Sequence, residues 1–117
     1  MDGILILAHG SRRKETEETF EAIVAMVKAK ASVPIEEAYM EFSERDIAQG
    51  VDALLGYGVT HIRVIPYFLF EGMHIVKDVP REIEEALVDK PGITFEIGKT
   101  LGADPRLADI LLDHIGQ

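Results

Sequence analysis

Ile4-Leu5-Ile6-Leu7-Ala8 is an uninterrupted apolar run near the start of the chain, and His9-Gly10-Ser11 follows it at once. A run of this kind is typical of a parallel β-strand whose two faces are both covered by helices. Further strand candidates lie at Ile35–Phe42, Ile62–Pro66 and Ile93–Ile97. The sequence therefore predicts a parallel sheet in which the first run is a buried strand.

Segments with apolar residues at helical spacing separate these strands. A last helix fits Asp104–Ile115, where Asp104 would cap the helix and Pro105 would occupy its first helical position. The apolar residues that carry the spacing in the first three helices are Phe20, Ile23, Val24 and Val27, then Ile47, Val51, Leu54 and Leu55, then Val79, Ile83, Ala86 and Leu87.

Capping and stop signals mark the second helix. Ser43, with Asp46 three residues later, resembles a capping box, and Gly56 and Gly58 offer a left-handed stop. The resulting order, β-α-β-α-β-α-β-α, implies right-handed crossovers between parallel strands. The predicted fold class is α/β, with a parallel four-stranded sheet sandwiched between helices. A length of 117 residues fits a single domain over residues 1–117.

Composition and charge exclude several classes of protein. The longest apolar runs fall far short of the roughly 18–20 residues that span a bilayer, so no membrane insertion is expected. The 21 acidic and 12 basic residues give a net charge of −9, which disfavours nucleic-acid binding. The absence of cysteine fits a reducing compartment, and Met1-Asp2-Gly3-Ile4 lacks the basic region of a signal peptide. A cytoplasmic location is therefore expected.

Few polar residues immediately follow the predicted strands, at the edge where open parallel sheets bind ligands. His9 follows the first strand, Glu41 and Glu44 lie at the end of the second, and His74 follows the third. We expect His9 and His74 to converge, with Glu41 or Glu44 nearby. Two imidazoles and a carboxylate suit a borderline divalent cation with open coordination positions.

His9, His74 and Glu41 also have purely structural interpretations, which for Glu41 is a solvated strand terminus. His9 could satisfy a backbone group at the start of the first helix, although Gly10 permits the close approach of a ligand and Ser11 can cap that helix instead. His74, taken alone, is better interpreted as a surface loop histidine. The other two histidines, expected to be structural or solvated, are His61 and His114.

Basic residues cluster around the predicted crevice of an otherwise acidic chain, and they could recruit a ligand that carries carboxylates. The run Tyr67-Phe68-Leu69-Phe70 holds more apolar surface than a solvent loop needs. It either completes the core or contacts a flat hydrophobic ligand or a subunit partner. The basic residues are Arg12, Arg13, Lys14, Arg45 and Lys77.

Three segments together resemble a known family, namely Ile4–Arg12, Met40–Ser43 and Gly72–Pro80. They are similar to the small form of the sirohydrochlorin cobaltochelatases, the class II chelatases of cobalamin and sirohaem synthesis, and the likeness covers nearly the whole chain. The combination of His-Gly-Ser with Gly-x-His-x-x-x-Asp-x-Pro is its most specific part. The resemblance implies a chelatase-like, flavodoxin-like three-layer fold and an enzyme that inserts a divalent metal into sirohydrochlorin.

The resemblance also implies roles for individual residues. His9 and His74 would bind the metal, His9 would also accept a proton, and Glu41 would be the acidic residue near the metal. One departure is that many relatives have Pro where Arg45 stands. The predicted substrate-binding residues are Ser11, Arg12, Glu44, Arg45, Leu69, Phe70, Glu71, Gly72, Met73 and His74.

The implied chemistry suits these residues. Metal insertion removes two pyrrole N–H protons, and an imidazole can accept a proton near neutral pH. The metal is then a substrate, and no permanently bound cofactor is expected. We expect Co²⁺, with Fe²⁺ or Ni²⁺ as alternatives, because such ligands do not discriminate strongly among them. A homodimer is expected because one small domain covers a single side of a broad macrocycle and Tyr67–Phe70 is surplus apolar surface.

Three other functions stay open on the sequence. A histidine-nucleophile phosphatase also places His-Gly after its first strand, but Ala8 stands where the Arg of its Arg-His-Gly motif is expected. A non-catalytic metal or tetrapyrrole carrier would use the same histidines without promoting insertion. A serine hydrolase centred on Ser11 lacks the G-x-S-x-G elbow.

Overall fold

A computed structural model describes residues 1–116, with the side chain of His74 excepted. Within that part of the chain, four strands alternate with four α-helices, and no helix combines the length and the apolar character needed to cross a bilayer. The elements are β1 (Asp2–Ala8), α1 (Lys14–Lys30), β2 (Ile35–Tyr39), α2 (Ile47–Leu55), β3 (His61–Pro66), a π-helical turn (His74–Asp78), α3 (Val79–Leu87), β4 (Thr94–Ile97) and α4 (Pro105–Ile115).

The sheet has the strand order β2-β1-β3-β4, and every neighbouring pair of strands is parallel. In the central strand β1, Leu5 and Leu7 pack in a buried cluster with α2 and α3. Ile6 and Ala8 point to the other face and pack against α1. The predicted α/β fold class is confirmed. Because the strands are parallel, their carboxyl ends share one edge, and His9 begins the first loop there.

The second strand is shorter than predicted. β2 ends at Tyr39, whose N–H donates to the carbonyl of Arg45 at 2.8 Å and so closes a loop over residues 40–45. Phe42, which was predicted to end the strand, lies in this loop with a φ of 62°. That left-handed conformation is incompatible with an extended strand and is rare for a bulky residue. The prediction was wrong because apolar residues continue past the point where the backbone turns.

Two serines near the predicted helix starts form turns and do not cap the helices. The Oγ of Ser11 accepts from the N–H of Arg13 at 3.1 Å, and Arg13 is the residue that precedes α1. The Oγ of Ser43 accepts likewise from the N–H of Arg45 at 3.0 Å. The carboxylate of Asp46 caps α2. The predicted capping box is therefore wrong, because Ser43 is not the capping residue.

The end of α2 and the start of α4 largely agree with the signals in the sequence. Gly58 has the left-handed φ of 88° expected of a stop, whereas Gly56 has a right-handed φ of −61°. The carboxylate of Asp104 caps α4 by accepting from the N–H of Arg106 at 2.9 Å, as predicted. The Arg106 side chain also donates to this carboxylate, and these hydrogen bonds lower the pKa of Asp104 to about 2.

Tyr39 supplies a stability prediction. Its ring packs against Phe20 at 5.4 Å between centroids, and its buried hydroxyl forms no hydrogen bond of standard geometry within the described structure. Burial, reinforced by the charge of Glu21, raises the pKa of Tyr39 to about 12. Because an unpartnered buried hydroxyl costs free energy, Tyr39→Phe should unfold in urea with a free energy equal to wild type or up to about 1 kcal/mol higher.

The pH dependence follows from the direction of this shift. The folded state favours the neutral phenol over the phenolate. The free energy of unfolding is therefore unaffected by the titration of Tyr39 below the unfolded pKa, near 10, and falls as pH rises from there towards 12. The Tyr39→Phe variant should lose less stability in this window, whereas Tyr57→Phe, at an exposed position, should behave as wild type does. A Tyr39→Phe variant much less stable than wild type at pH 7 would contradict the interpretation.

Candidate active site at the carboxyl edge of the sheet

Backbone hydrogen bonds beyond the strand ends bring the β1 and β2 loops together. The N–H of Met40 donates to the carbonyl of Ala8 at 3.0 Å, and the N–H of Glu41 donates to the carbonyl of His9 at 3.1 Å. The pairing that begins between β1 and β2 is therefore continued by two residues of loop. This continuation fixes His9 and Glu41 beside each other.

The side chains of His9 and Glu41 form the central contact of the site. His9 Nε2 lies 2.8 Å from Glu41 Oε1, and the two side chains are 49% and 48% exposed. The carboxylate thus faces a solvated crevice and avoids the cost of an unpaired charge in the core. The expectation that Glu41 lies near His9 agrees with this geometry.

Gly10 permits that contact by its lack of a side chain. Its φ is +101°, and a Cβ built there would lie 2.0 Å from the carbonyl oxygen of Glu41. From the sequence, a glycine at this position is expected to permit the close approach of a ligand. In the structure it is the Glu41 backbone that approaches, so Gly10 supports the His9–Glu41 pair.

Two depressions share His9 and Tyr67 in their walls, with volumes of about 360 Å³ and 470 Å³. The ring of Phe68, which packs partly against the core, lies 6.1 Å from the ring of His9. A planar apolar ligand would find aromatic surface beside the imidazole. The first depression is completed by Ala8, Gly10, Thr16, Thr19 and Phe20, and the second by Phe68, Leu69, Phe70, Glu71, Gly72 and Ile75.

Arg12 and Phe42 form a second feature beside Glu41. The guanidinium carbon of Arg12 lies 4.9 Å from the centre of the Phe42 ring, which is a cation–π geometry. Phe42 is half exposed and holds its left-handed backbone conformation between Glu41 and Ser43. Phe42 is not among the site residues predicted from the sequence, because the apolar pattern places it in the second strand.

The predicted loop residues from Leu69 to Met73 are all exposed, and Phe70 is 79% exposed. His74 begins the π-helical turn, but its side chain lies outside the described part of the structure. Its convergence with His9 therefore stays a prediction. Among the side chains that are described, no group of three or more His, Asp or Glu residues could hold a metal ion.

Glu44 and Arg45 line a separate depression with Gln49. The Arg45 guanidinium donates to the Glu36 carboxylate and, through Nε, to the carbonyl of Glu37 at 3.0 Å. This part-buried arrangement ties the loop after β2 back onto the strand. It gives Arg45 a structural task, while its predicted role in substrate binding stays a prediction.

The two remaining histidines lie apart from this site. His61 begins β3 at the amino end of the sheet, where its Nδ1 lies 2.7 Å from Thr94 Oγ1. His114 is in the last turn of α4, the end of a helix at which basic side chains are favoured. Both positions agree with the structural or solvated roles expected from the sequence.

Comparison with known proteins gives consistent similarities. The CbiX family model matches residues 3–117. A sirohydrochlorin ferrochelatase of Priestia megaterium is 33% identical over 100% of this chain and 44% of its own length. A sirohydrochlorin cobaltochelatase of Methanosarcina barkeri is 36% identical over 98% of this chain and 95% of its own. The structure of the sirohydrochlorin chelatase SirB from Bacillus subtilis subspecies spizizenii in complex with cobalt has a TM-score of 0.92 and 31% identity, covering 98% of this chain and 50% of that one.

The relatives thus fall into two sizes. This chain spans about half the length of the longer ones and nearly the whole length of the shorter ones.

Proposed function

The chain belongs to the CbiX family, and on that premise we propose that it inserts a divalent metal into sirohydrochlorin, a lyase reaction that forms a metal–tetrapyrrole. The observation that carries the proposal is the 2.8 Å contact between His9 and Glu41 at the carboxyl edge of the sheet. Co²⁺ is the favoured metal, because the cobaltochelatase relative matches this chain over 95% of its own length. Fe²⁺ is the alternative, because the ferrochelatase relative is also similar but matches over only 44% of its own length.

Proton removal is the step that His9 and Glu41 would perform. In the tautomer favoured by the contact, Nε2–H of His9 donates to Glu41, and the lone pair lies on Nδ1. When the imidazole takes a pyrrole proton, the nearby carboxylate stabilises the imidazolium. Because both side chains are about half exposed, the proton can pass to solvent before the second pyrrole proton is removed.

Metal delivery would use the imidazoles of His9 and His74. Nδ1 of His9, which carries the only lone pair of that ring, would bind the metal first and would take a pyrrole proton once the metal has passed to the macrocycle nitrogens. The neighbours Gly72 and Ile75 line the same depression as His9, which supports a place for His74 at this edge. Two neutral imidazoles bind Co²⁺, Fe²⁺ or Ni²⁺ while leaving positions for the macrocycle nitrogens. The metal is a substrate that leaves with the product.

The tetrapyrrole would lie over the apolar residues of the loop after β3 and against the Arg12–Phe42 pair. Arg12→Ala should raise KM for sirohydrochlorin by about tenfold, the equivalent of one charge-assisted hydrogen bond, and leave kcat within about twofold. Steady-state kinetics would measure both values. Arg13→Ala is the matched control, because the Arg13 guanidinium is 3.2 Å from Glu15 and the change in net charge is the same. Equal KM values for the two variants would contradict the assignment.

The experiment that tests the proposed reaction is anaerobic incubation with sirohydrochlorin and Co²⁺, Fe²⁺ or Ni²⁺, followed by the absorbance of the tetrapyrrole. Catalytic turnover above the metal-only rate supports the proposal. Stoichiometric binding without turnover would indicate a carrier, and hydrolysis of p-nitrophenyl phosphate without insertion would indicate a phosphatase.

We further propose that the protein acts in the cytoplasm as a homodimer built from one α/β domain per chain. Exposed apolar side chains support the dimer, since Leu69 and Phe70 are 51% and 79% exposed. Relatives of twice the length support it as well, because two copies of this chain would equal one of them in size.

A further inference from the structure

Phe42 is the one residue other than glycine with a positive φ among residues 1–116, and its φ is 62°. The left-handed region costs free energy for a residue with a Cβ, and glycine or asparagine ordinarily occupies it. A bulky residue persists there only where the surrounding structure fixes the backbone, and such residues cluster at functional sites. The backbone and the side chain of Phe42 therefore need separate explanations.

Hydrogen bonds on both sides fix the backbone of Phe42. The N–H of Glu41 donates to the carbonyl of His9 at 3.1 Å. At the base of the same loop, the N–H of Tyr39 donates to the carbonyl of Arg45 at 2.8 Å. The chain has to reverse its direction between these two bonds, and a left-handed residue allows a sharp reversal. The reversal explains the conformation but not the residue type, because glycine or asparagine would adopt it at a lower cost.

Core packing does not account for the aromatic ring of Phe42. The residue is 50% exposed and belongs to neither of the two buried clusters beside the sheet. The ring instead contacts Arg12, whose guanidinium carbon lies 4.9 Å from the ring centre, within the range of about 6 Å for a cation–π interaction. A strained, half-exposed aromatic residue is thus placed against a cation at the edge of the candidate active site.

Arg12 differs from every other arginine of the chain in its surroundings. The others each have a guanidinium nitrogen within 3.2 Å of a carboxylate oxygen, whereas Arg12 has no carboxylate partner within the described residues 1–116. An aromatic face attracts a guanidinium without neutralising its charge, and the N–H donors at the edge of the guanidinium plane stay available. The paired arginines are Arg13, Arg45, Arg63, Arg81 and Arg106.

The charge of Arg12 matters because the chain as a whole is acidic. A net charge of −9 repels anions, and sirohydrochlorin carries carboxylate side chains around its macrocycle. Arg12 lies three residues after His9, and the backbone bond between Glu41 and His9 joins its loop to the loop of Phe42. A guanidinium that is not neutralised beside the His9–Glu41 pair gives one such carboxylate a charged hydrogen-bond donor.

We propose that Phe42 is a positioning residue, which holds the guanidinium of Arg12 in place to bind a carboxylate of the tetrapyrrole. This inference rests on the proposed function. An arginine side chain without a contact has many rotamers, and ordering it when the ligand binds costs free energy. The ring of Phe42 orders the Arg12 side chain in advance, and a strained backbone at Phe42 is the consequence of placing an aromatic ring there.

Phe42→Asn tests the proposal, because it should move stability and binding in opposite directions. Asparagine tolerates the left-handed conformation, so the urea midpoint should be equal to or higher than that of wild type. The Kd for metal-free sirohydrochlorin, measured by absorbance titration, should rise about two- to fivefold, the equivalent of an exposed cation–π interaction. Phe42→Trp keeps an aromatic face and should bind within about twofold of wild type.

Arg12→Ala supplies the matched background in which the ring should have no effect. This substitution should raise the Kd by about tenfold, and Phe42→Asn should add nothing to it, because the ring is proposed to act through the guanidinium. Effects that multiply in the double variant would show that the ring binds the macrocycle itself, and they would overturn the positioning role. An unchanged Kd in Phe42→Asn, or a lower urea midpoint together with weaker binding, would also overturn it.

The titration needs neither metal nor turnover, so it separates this inference from the proposed reaction. If wild type and variants bind sirohydrochlorin with the expected Kd values but wild type inserts no metal, the proposed reaction fails and the inference is supported. If wild type inserts the metal and Phe42→Asn binds as tightly as wild type, the inference alone fails. A wild type that does not bind sirohydrochlorin would contradict both.

Discussion

His9→Ala should lower the rate of metal insertion by about 100- to 10,000-fold, the usual contribution of a positioned general base. The imidazole is proposed both to take the pyrrole proton and to bind the metal, and alanine can do neither. His9 is half exposed and makes no part of the buried core, so far-UV circular dichroism and the melting temperature should stay close to wild type. The measurement is the initial rate with Co²⁺ and sirohydrochlorin.

His61→Ala and His114→Ala are the matched controls for this result. One histidine begins β3 at the opposite end of the sheet, and the other is in the last turn of α4. Both variants should keep insertion rates within about twofold of wild type. Wild-type turnover in His9→Ala, or a large loss in either control, would refute the assignment of the chemistry to this edge.

The fold could be predicted from the sequence because its signals are local. The run Ile4–Ala8 contains enough consecutive apolar residues to specify a strand covered on both faces, and helical spacing at Phe20 and Val24 specifies the helix that covers one of them. The proximity of His9 and Glu41 could also be predicted, because the carboxyl ends of parallel strands lie at one edge of the sheet.

The features that differ from the prediction depend on contacts across the loop after β2, which no local residue pattern specifies. β2 ends at Tyr39 because that residue bonds to Arg45 across the loop, and no signal at Phe42 announces its left-handed conformation. The pairing of Arg45 with Glu36 is likewise set by the tertiary structure, because several other acidic residues lie near Arg45 in the sequence. The sequence predicts α4 but does not show that none of its residues is buried within the described part of the chain, residues 1–116.

Gly10 is the position where a single methyl group should have the largest effect on the architecture of the site. A Cβ there would lie 2.0 Å from the carbonyl oxygen of Glu41, a contact that backbone atoms can relieve only by moving. Gly10→Ala should therefore separate the β1 and β2 loops, and the hydrogen bond from the N–H of Glu41 to the carbonyl of His9 should be lost.

The matched control is Gly58→Ala, because Gly58 also has a positive φ but has nothing within 4 Å of its built Cβ. The unfavourable φ alone should lower the free energy of unfolding by about 1–2 kcal/mol in Gly58→Ala. In Gly10→Ala the clash adds to this, so a loss of about 3 kcal/mol or more is expected. Urea denaturation measures both losses.

Activity per folded molecule separates the two glycines further. The Gly58→Ala variant should retain wild-type insertion once corrected for its folded fraction, since its site is unchanged. In Gly10→Ala the carboxylate no longer holds the imidazole, so insertion should fall by at least about tenfold even under conditions in which the protein is folded. If the two variants lose equal stability and keep equal activity, the loop that contains Glu41 can move away from the added methyl group without a cost in free energy. Gly10 would then not position the His9–Glu41 pair.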